Sequence, residues 1–222
     1  MQYMEGGNLR QYLQQKKLTF RDKLDRLRDI ISGLKDIHQQ NLIHRDLHSG
    51  NILNSNDRSY VADLGLSQSV NSQKGEGQVF GVLPYVAPEV LQGQPYTQAS
   101  DIYSFGIVAY ELLANTYPYS DLNLEDTNLA LKICQGLRPD VDELKIPPLM
   151  KDLIKSSPIN TKEIVLLSQK PEKRALEPEL KKLEKEIDQP LTEEQKVLIS
   201  DFIQARKMVI KDRNNEEAED RA

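Results

Sequence analysis

Residues 100–115 read SDIYSFGIVAYELLAN, and as a helix this stretch would be apolar around most of its circumference. Such a helix has no face to offer water, so the rest of the chain must pack around it. The acids Asp101 and Glu111 break the pattern. An unpaired carboxylate opening an apolar helix is costly, so Asp101 requires donors from elsewhere, besides any help from the helix dipole. The apolar run 103–114 is interrupted by Glu111 and falls well short of the ~20 residues that cross a bilayer, so no membrane span is expected.

Other helices follow from spacing. Leu24, Leu27, Ile30, Ile31, Leu34 and Ile37 recur at helical intervals, with Thr19 placed to cap and Asp22 three residues on. Residues 129–133 suggest another helix, ended by Gly136 and Pro139, and 149–154 a further one. Short apolar pieces around Asn54, Asn56 and Asp57 suit small strands and a hairpin, while 67–78, rich in Ser, Gln and Gly, reads as an exposed loop. Beyond Pro158 the composition turns to Lys and Glu; 175–187 reads as an exposed helix, and a last helix starts at Thr192 with Leu198, Phe202, Ala205 and Val209 in one stripe.

The net charge of -5 argues against a nucleic-acid or anionic-membrane surface, which attracts basic patches. The single cysteine, Cys134, excludes an internal disulfide, and the first ten residues lack the blocks of a secretory signal. A cytoplasmic location is expected.

Polar groups gather in LIHRDLHSGNIL, residues 42–53, between two apolar runs that can hold them on a rigid loop. Taken alone, the pattern also fits an ordinary hairpin. Phosphoryl transfer, however, demands a carboxylate to accept a hydroxyl proton and oxygen ligands to hold Mg²⁺ on a triphosphate. Asp46 stands five residues before Asn51, and Asp63 opens a DLG. The spacing matches H-R-D-L-x-x-x-N followed by D-F-G and A-P-E. On these residues, and on YMEGGNLRQYL, GVLPYVAPE, SDIYSFGIVAYELL and ICQGLRP, the chain resembles the C-terminal lobe of a tyrosine-kinase-like protein kinase over residues 1–150.

The resemblance implies a mainly α fold with short β-hairpins around the catalytic loop, the complete family fold being α+β. It makes Asp46 the base, with Arg45 and His48 as further catalytic residues, Asn51 and Asp63 the Mg²⁺ ligands, and Asn51, Asp63 and Leu53 the contacts for ATP. The substrate would be a protein hydroxyl, Ser/Thr before Tyr, and a regulatory protein partner is also implied. Arg45 would face the activation segment, where a phosphate on Ser67, Ser69 or Ser72 can pair with it, the alternative being an unmodified loop. Asp101 would accept backbone N–H bonds from the loop around His44 and Arg45, and Glu89 would pair with Arg174. In domain terms, residues 1–187 would form a partial kinase domain, 188–212 a C-terminal helix and 213–222 a disordered acidic tail.

Departures from the family pattern bear on activity. His48 stands where serine/threonine kinases usually have a phosphate-contacting lysine, Val82 replaces a threonine, and Leu64 replaces the Phe of D-F-G with apolar packing expected to survive. A glycine-rich loop and a strand lysine are expected of a working kinase. The run GEGQVFG lacks G-x-G-x-x-G spacing and follows the DLG instead of preceding it. The chain is therefore expected to be a fragment, a truncated product or a degenerate relative, inactive by itself. The rival reading is a pseudokinase-like binding module that holds a partner without chemistry.

Overall fold

Thr97 starts the central helix, three residues before the first position expected from the apolar run. A computed structural model of the chain describes residues 4–70, 79–122, 126–144, 146, 151, 154 and 155. In it the Thr97 hydroxyl accepts the Ser100 N–H at 3.2 Å and Ser100 Oγ accepts the Thr97 N–H at 3.0 Å. This reciprocal cap satisfies two orphan donors of helix α4, Gln98–Ala114. Within it every residue from Ser100 to Leu113 except Gly106 is buried, as an all-round apolar surface requires. Asn115 ends the helix in the left-handed region, φ 55°.

The other helices are α1 (Leu9–Gln15), α2 (Phe20–Gln39), the single turn α3 (Pro88–Leu91) and α5 (Asp126–Cys134). Helix α2 begins on the expected Thr19 and Asp22 capping box and buries Leu24, Leu27, Ile30 and Leu34 in the same cluster as Ile107, Val108 and Leu112 of α4. Lys23 Nζ donates to Leu113 O at 2.8 Å, tying α2 to a C-terminal carbonyl of α4.

Among the described residues strands are few and short. β1 (Leu42–Ile43) pairs antiparallel with β4 (Gln68–Ser69), and β2 (Ile52–Asn54) forms a hairpin with β3 (Ser59–Val61) in the register Ile52 to Val61, Leu53 to Tyr60, Asn54 to Ser59. The β4 strand corrects the expectation of an exposed loop over 67–78: Ser67, Gln68 and Ser69 are partly buried, because Leu42 and Ile43 supply a ladder for them. Residues 71–78 of that segment, Arg174 and the helices expected over 175–187 and from Thr192 lie outside the described residues. So do most residues of the helix expected over 149–154, of which Ile154 is described and buried.

One buried cation anchors the hairpin. Arg26 of α2, 3% exposed, donates from one guanidinium nitrogen to Asn54 Oδ1, Arg58 O and Ser59 Oγ, and from the other to Tyr12 Oη, Ser55 O and Asn56 O, at 2.7–3.4 Å. Its guanidinium carbon also lies 4.2 Å from the centre of the Tyr12 ring. The planar fork thus ties α1, α2 and the β2–β3 turn together through neutral acceptors.

Candidate active site

The loop between β1 and β2 is held from beneath by the acid that the central helix buries. Asp101, 1% exposed, accepts the main-chain N–H of His44 at 2.8 Å and of Arg45 at 2.9 Å, as the resemblance implies. It also accepts Nε2–H of His38 at 2.8 Å, a partner that the sequence reading missed. The bond to Arg45 falls on a residue with φ 70°, a conformation that costs a non-glycine residue about 1–3 kcal/mol and persists only where surroundings impose it.

His44 carries the hold toward the next strand. Its Nδ1 accepts the Asp46 N–H at 3.3 Å, which leaves the proton on Nε2, 3.1 Å from Ala62 O. One imidazole therefore spans from Asp46 to the residue before Asp63. The chain is closed on the other side by Ala62 N–H to Asn51 O at 2.9 Å.

Asp46 and Asn51 meet directly. The Asn51 side-chain amide donates to Asp46 O at 2.9 Å and to Asp46 Oδ2 at 3.0 Å, so both its hydrogens are engaged. Among the described residues no donor reaches Asn51 Oδ1. Nε2 of His48 lies 3.4 Å from the other Asp46 oxygen, Oδ1. Burial alone would raise the Asp46 pKa, but the His48 ring and the Asn51 amide outweigh it and hold the carboxyl below its ordinary range. Gly81 crosses above with φ 94°; a Cβ there would stand 3.1 Å from Asp46 Oδ1, so the close approach and the backbone both call for glycine.

Asp63 follows the hairpin strand β3 in the left-handed region, φ 62°, which aspartate tolerates better than most residues. Its Oδ1 accepts the Gly65 N–H at 3.2 Å and the residue is exposed. Main-chain pairing thus sets Asp63 beside Asn51 at one end of the hairpin. The donor atoms left over are a carboxylate oxygen and an amide oxygen, which suit a hard cation such as Mg²⁺ with phosphate and water completing the shell. Among the described residues no group of three His, Cys, Asp or Glu side chains gathers to hold a metal by itself. Leu53 turns to the opposite face of β2 from buried Ile52 and Asn54 and is partly exposed. Leu64, expected to keep apolar packing, is 49% exposed, since the turn after Asp63 points it outward.

Arg45 faces the activation segment. Its guanidinium donates to Gln68 Oε1 and lies 4.9 Å from the Phe80 ring centre and 5.0 Å from that of Tyr96. Tyr96 Oη in turn accepts the Phe80 N–H at 2.7 Å and donates to Phe80 O, so Arg45 touches the segment on both sides of 71–78. Ser67 donates its hydroxyl to Leu64 O at 2.7 Å; Ser69 lies in β4, and Ser72 is outside the described residues.

A second buried network escaped the sequence reading. Tyr85 Oη donates to Glu111 Oε2 at 2.5 Å, Arg10 reaches Glu111 Oε1 and Tyr85 Oη at 3.4 Å each, and Ser49 Oγ sits 3.3 Å from Tyr85 Oη. Burial first, then the Glu111 charge, push the Tyr85 phenol pKa upward, so it stays a donor. The available signal was Glu111 itself, an acid inside an apolar helix that needs partners as Asp101 does.

A catalytic loop, a DLG turn and an APE turn clamped around one buried helix define a class of fold, and the comparison agrees: the chain belongs to the protein kinase domain family, which matches residues 1–184. It is 35% identical over 158 residues to the Raf homolog serine/threonine-protein kinase of Caenorhabditis elegans, covering 65% of this chain and 19% of that protein. It is 35% identical over 154 residues to the serine/threonine-protein kinase STY46 of Arabidopsis thaliana, covering 67% and 26%. To the serine/threonine/tyrosine-protein kinase HT1 of the same plant it is 39% identical over 126 residues, covering 54% and 32%. The aligned part is thus about a fifth to a third of these relatives.

Proposed function

We propose that this chain carries the substrate-side chemistry of an ATP-dependent protein kinase, phosphorylating protein hydroxyls, Ser/Thr before Tyr. The observation that carries the reading is the amide of Asn51, whose nitrogen donates to both Asp46 O and Asp46 Oδ2 and whose oxygen, among the described residues, meets no donor beside the Asp63 turn. Mg²⁺, when bound by Asn51 and Asp63, supplies charge neutralisation for the triphosphate. Asp46, held in its ionised form by its neighbours, orients the substrate hydroxyl and accepts its proton. Leu53 offers an apolar surface for the base of ATP. Arg45 is the anchor of the activation segment, and a phosphate on Ser67, Ser69 or Ser72 would replace Gln68 as its partner.

The Ser/Thr preference is supported by relatives described as serine/threonine or serine/threonine/tyrosine kinases. A cytoplasmic site of action, with a regulatory protein partner, belongs to the same reading. No helix among the described residues is long and apolar enough to cross a membrane.

The test is transfer of radiolabelled phosphate from ATP to a protein substrate by this chain joined downstream of the N-terminal lobe of the nematode relative. Transfer is expected, and Asp46→Asn should reduce it about 10²- to 10⁴-fold, the usual worth of a positioned base. Transfer that ignores Asp46→Asn would remove Asp46 from the chemistry. No transfer from a folded, ATP-binding chimera would favour the binding module instead.

A further inference from the structure

The residue that differs most in chemistry from the family pattern within the catalytic loop is His48, and its surroundings assign its proton. The Gly50 N–H donates to His48 Nδ1 at 3.0 Å. A ring nitrogen that accepts an amide hydrogen carries none of its own, so the proton of this imidazole sits on Nε2. Nε2 faces Asp46 Oδ1 at 3.4 Å. We propose that His48 is a positioning residue for Asp46: its imidazole, held with Nδ1 on the Gly50 amide, presents Nε2–H to one carboxylate oxygen and steers it, in place of the contact to phosphate that a lysine would make there.

Four further observations converge on this role. A Cβ on residue 50 would lie 2.6 Å from His48 Cε1 and 2.8 Å from Nδ1, so a side chain at position 50 would displace the ring from this place. On another side the Tyr85 ring stands 6.0 Å away, centre to centre, tilted by 51°, and Tyr85 is itself fixed by Glu111 of the central helix. The remaining Asp46 oxygen already receives the Asn51 amide, so His48 and Asn51 address the two oxygens separately. Val82, the next residue after Gly81, has no hydroxyl to compete for Oδ1. The inference rests on the reading of Asp46 as the base.

The full 222-residue chain contains three histidines, so their ring nitrogens can be assigned one by one with single substitutions in long-range ¹H–¹⁵N spectra. At pH 7.5 His48 is expected to show a protonated Nε2 and a bare Nδ1. A proton on Nδ1, on both nitrogens, or exchanging between them overturns the proposal. The second readout is the Asn51 side-chain amide, which senses Asp46 from the far side. His48→Ala should shift its resonances and His48→Gln, whose amide nitrogen stands in for Nε2–H, should return them to the wild-type position; equal spectra for the two variants would contradict a positioning role. If His48→Ala fails to fold, the wild-type pattern still decides. Both readouts are taken without ATP, so they fail or succeed separately from the transfer assay, in which indifference to Asp46→Asn would overturn only the base reading.

Discussion

Asp101 and Asp46 are both carboxylates of the same site, yet burial gives them different work. Asp101 is sealed under the loop and satisfies two amides and an imidazole. Asp101→Ala should therefore cost about 3–5 kcal/mol in urea unfolding, because three buried donors lose their acceptor. A loss under about 1 kcal/mol would mean that the loop holds itself. Asp46 is only partly buried and its pKa is depressed in the folded chain. For a carboxyl lowered by folding, the stabilisation is complete above the ordinary value of about 3.9 and disappears as pH falls through the lower folded value. A ¹³C carboxyl titration should place the Asp46 midpoint below that ordinary value, and a midpoint above it would contradict the roles given to His48 and Asn51.

At the level of elements, the hairpin that presents Asn51 and Asp63 is too short to be stable alone, since an isolated two-stranded hairpin is marginal in water. Arg26 supplies the missing restraint from α2. Replacing it by lysine keeps the charge but loses the fork that serves six acceptors. Arg26→Lys should lower stability by about 1–3 kcal/mol and speed hydrogen exchange in residues 52–61 more than in α4; uniform exchange would argue for a global effect. The cap of α4 is a separate device, and Thr97→Ala should cost about 1 kcal/mol without touching the hairpin. These two elements also mark how far the sequence could be read. The α2 cap and the apolar circumference of α4 are local patterns, visible as spacing. The β4 strand was not, because two residues carry no periodicity and pair only after Leu42 and Ile43 have been placed. Nor was the Arg26 hub, since an arginine on an amphipathic helix reads as solvent-facing and half of its acceptors are main-chain carbonyls, which any residue possesses.

For the whole molecule, the site is a property of the core more than of the loop sequence. Asp46 and Asn51 lie in one loop, so their meeting was legible from a five-residue spacing; the Arg10 to Glu111 contact joins residues 101 positions apart and was not. The arrangement of the two loop histidines was hidden for another reason: each ring accepts a main-chain N–H, from Gly50 for His48 and from Asp46 for His44. Since α4 is buried on all sides, Leu112→Ala should cost about 2–5 kcal/mol and loosen the loop along with the core. The most direct measurement of the central claim is paramagnetic broadening of the isotope-labelled chain by Mn²⁺ with ADP. The account predicts that signals of Asn51 and Asp63 broaden first, those of Asp46 close behind, and that Asp63→Asn weakens the effect at Asn51. Broadening centred elsewhere, or reaching one of Asn51 and Asp63 but not the other, would contradict it.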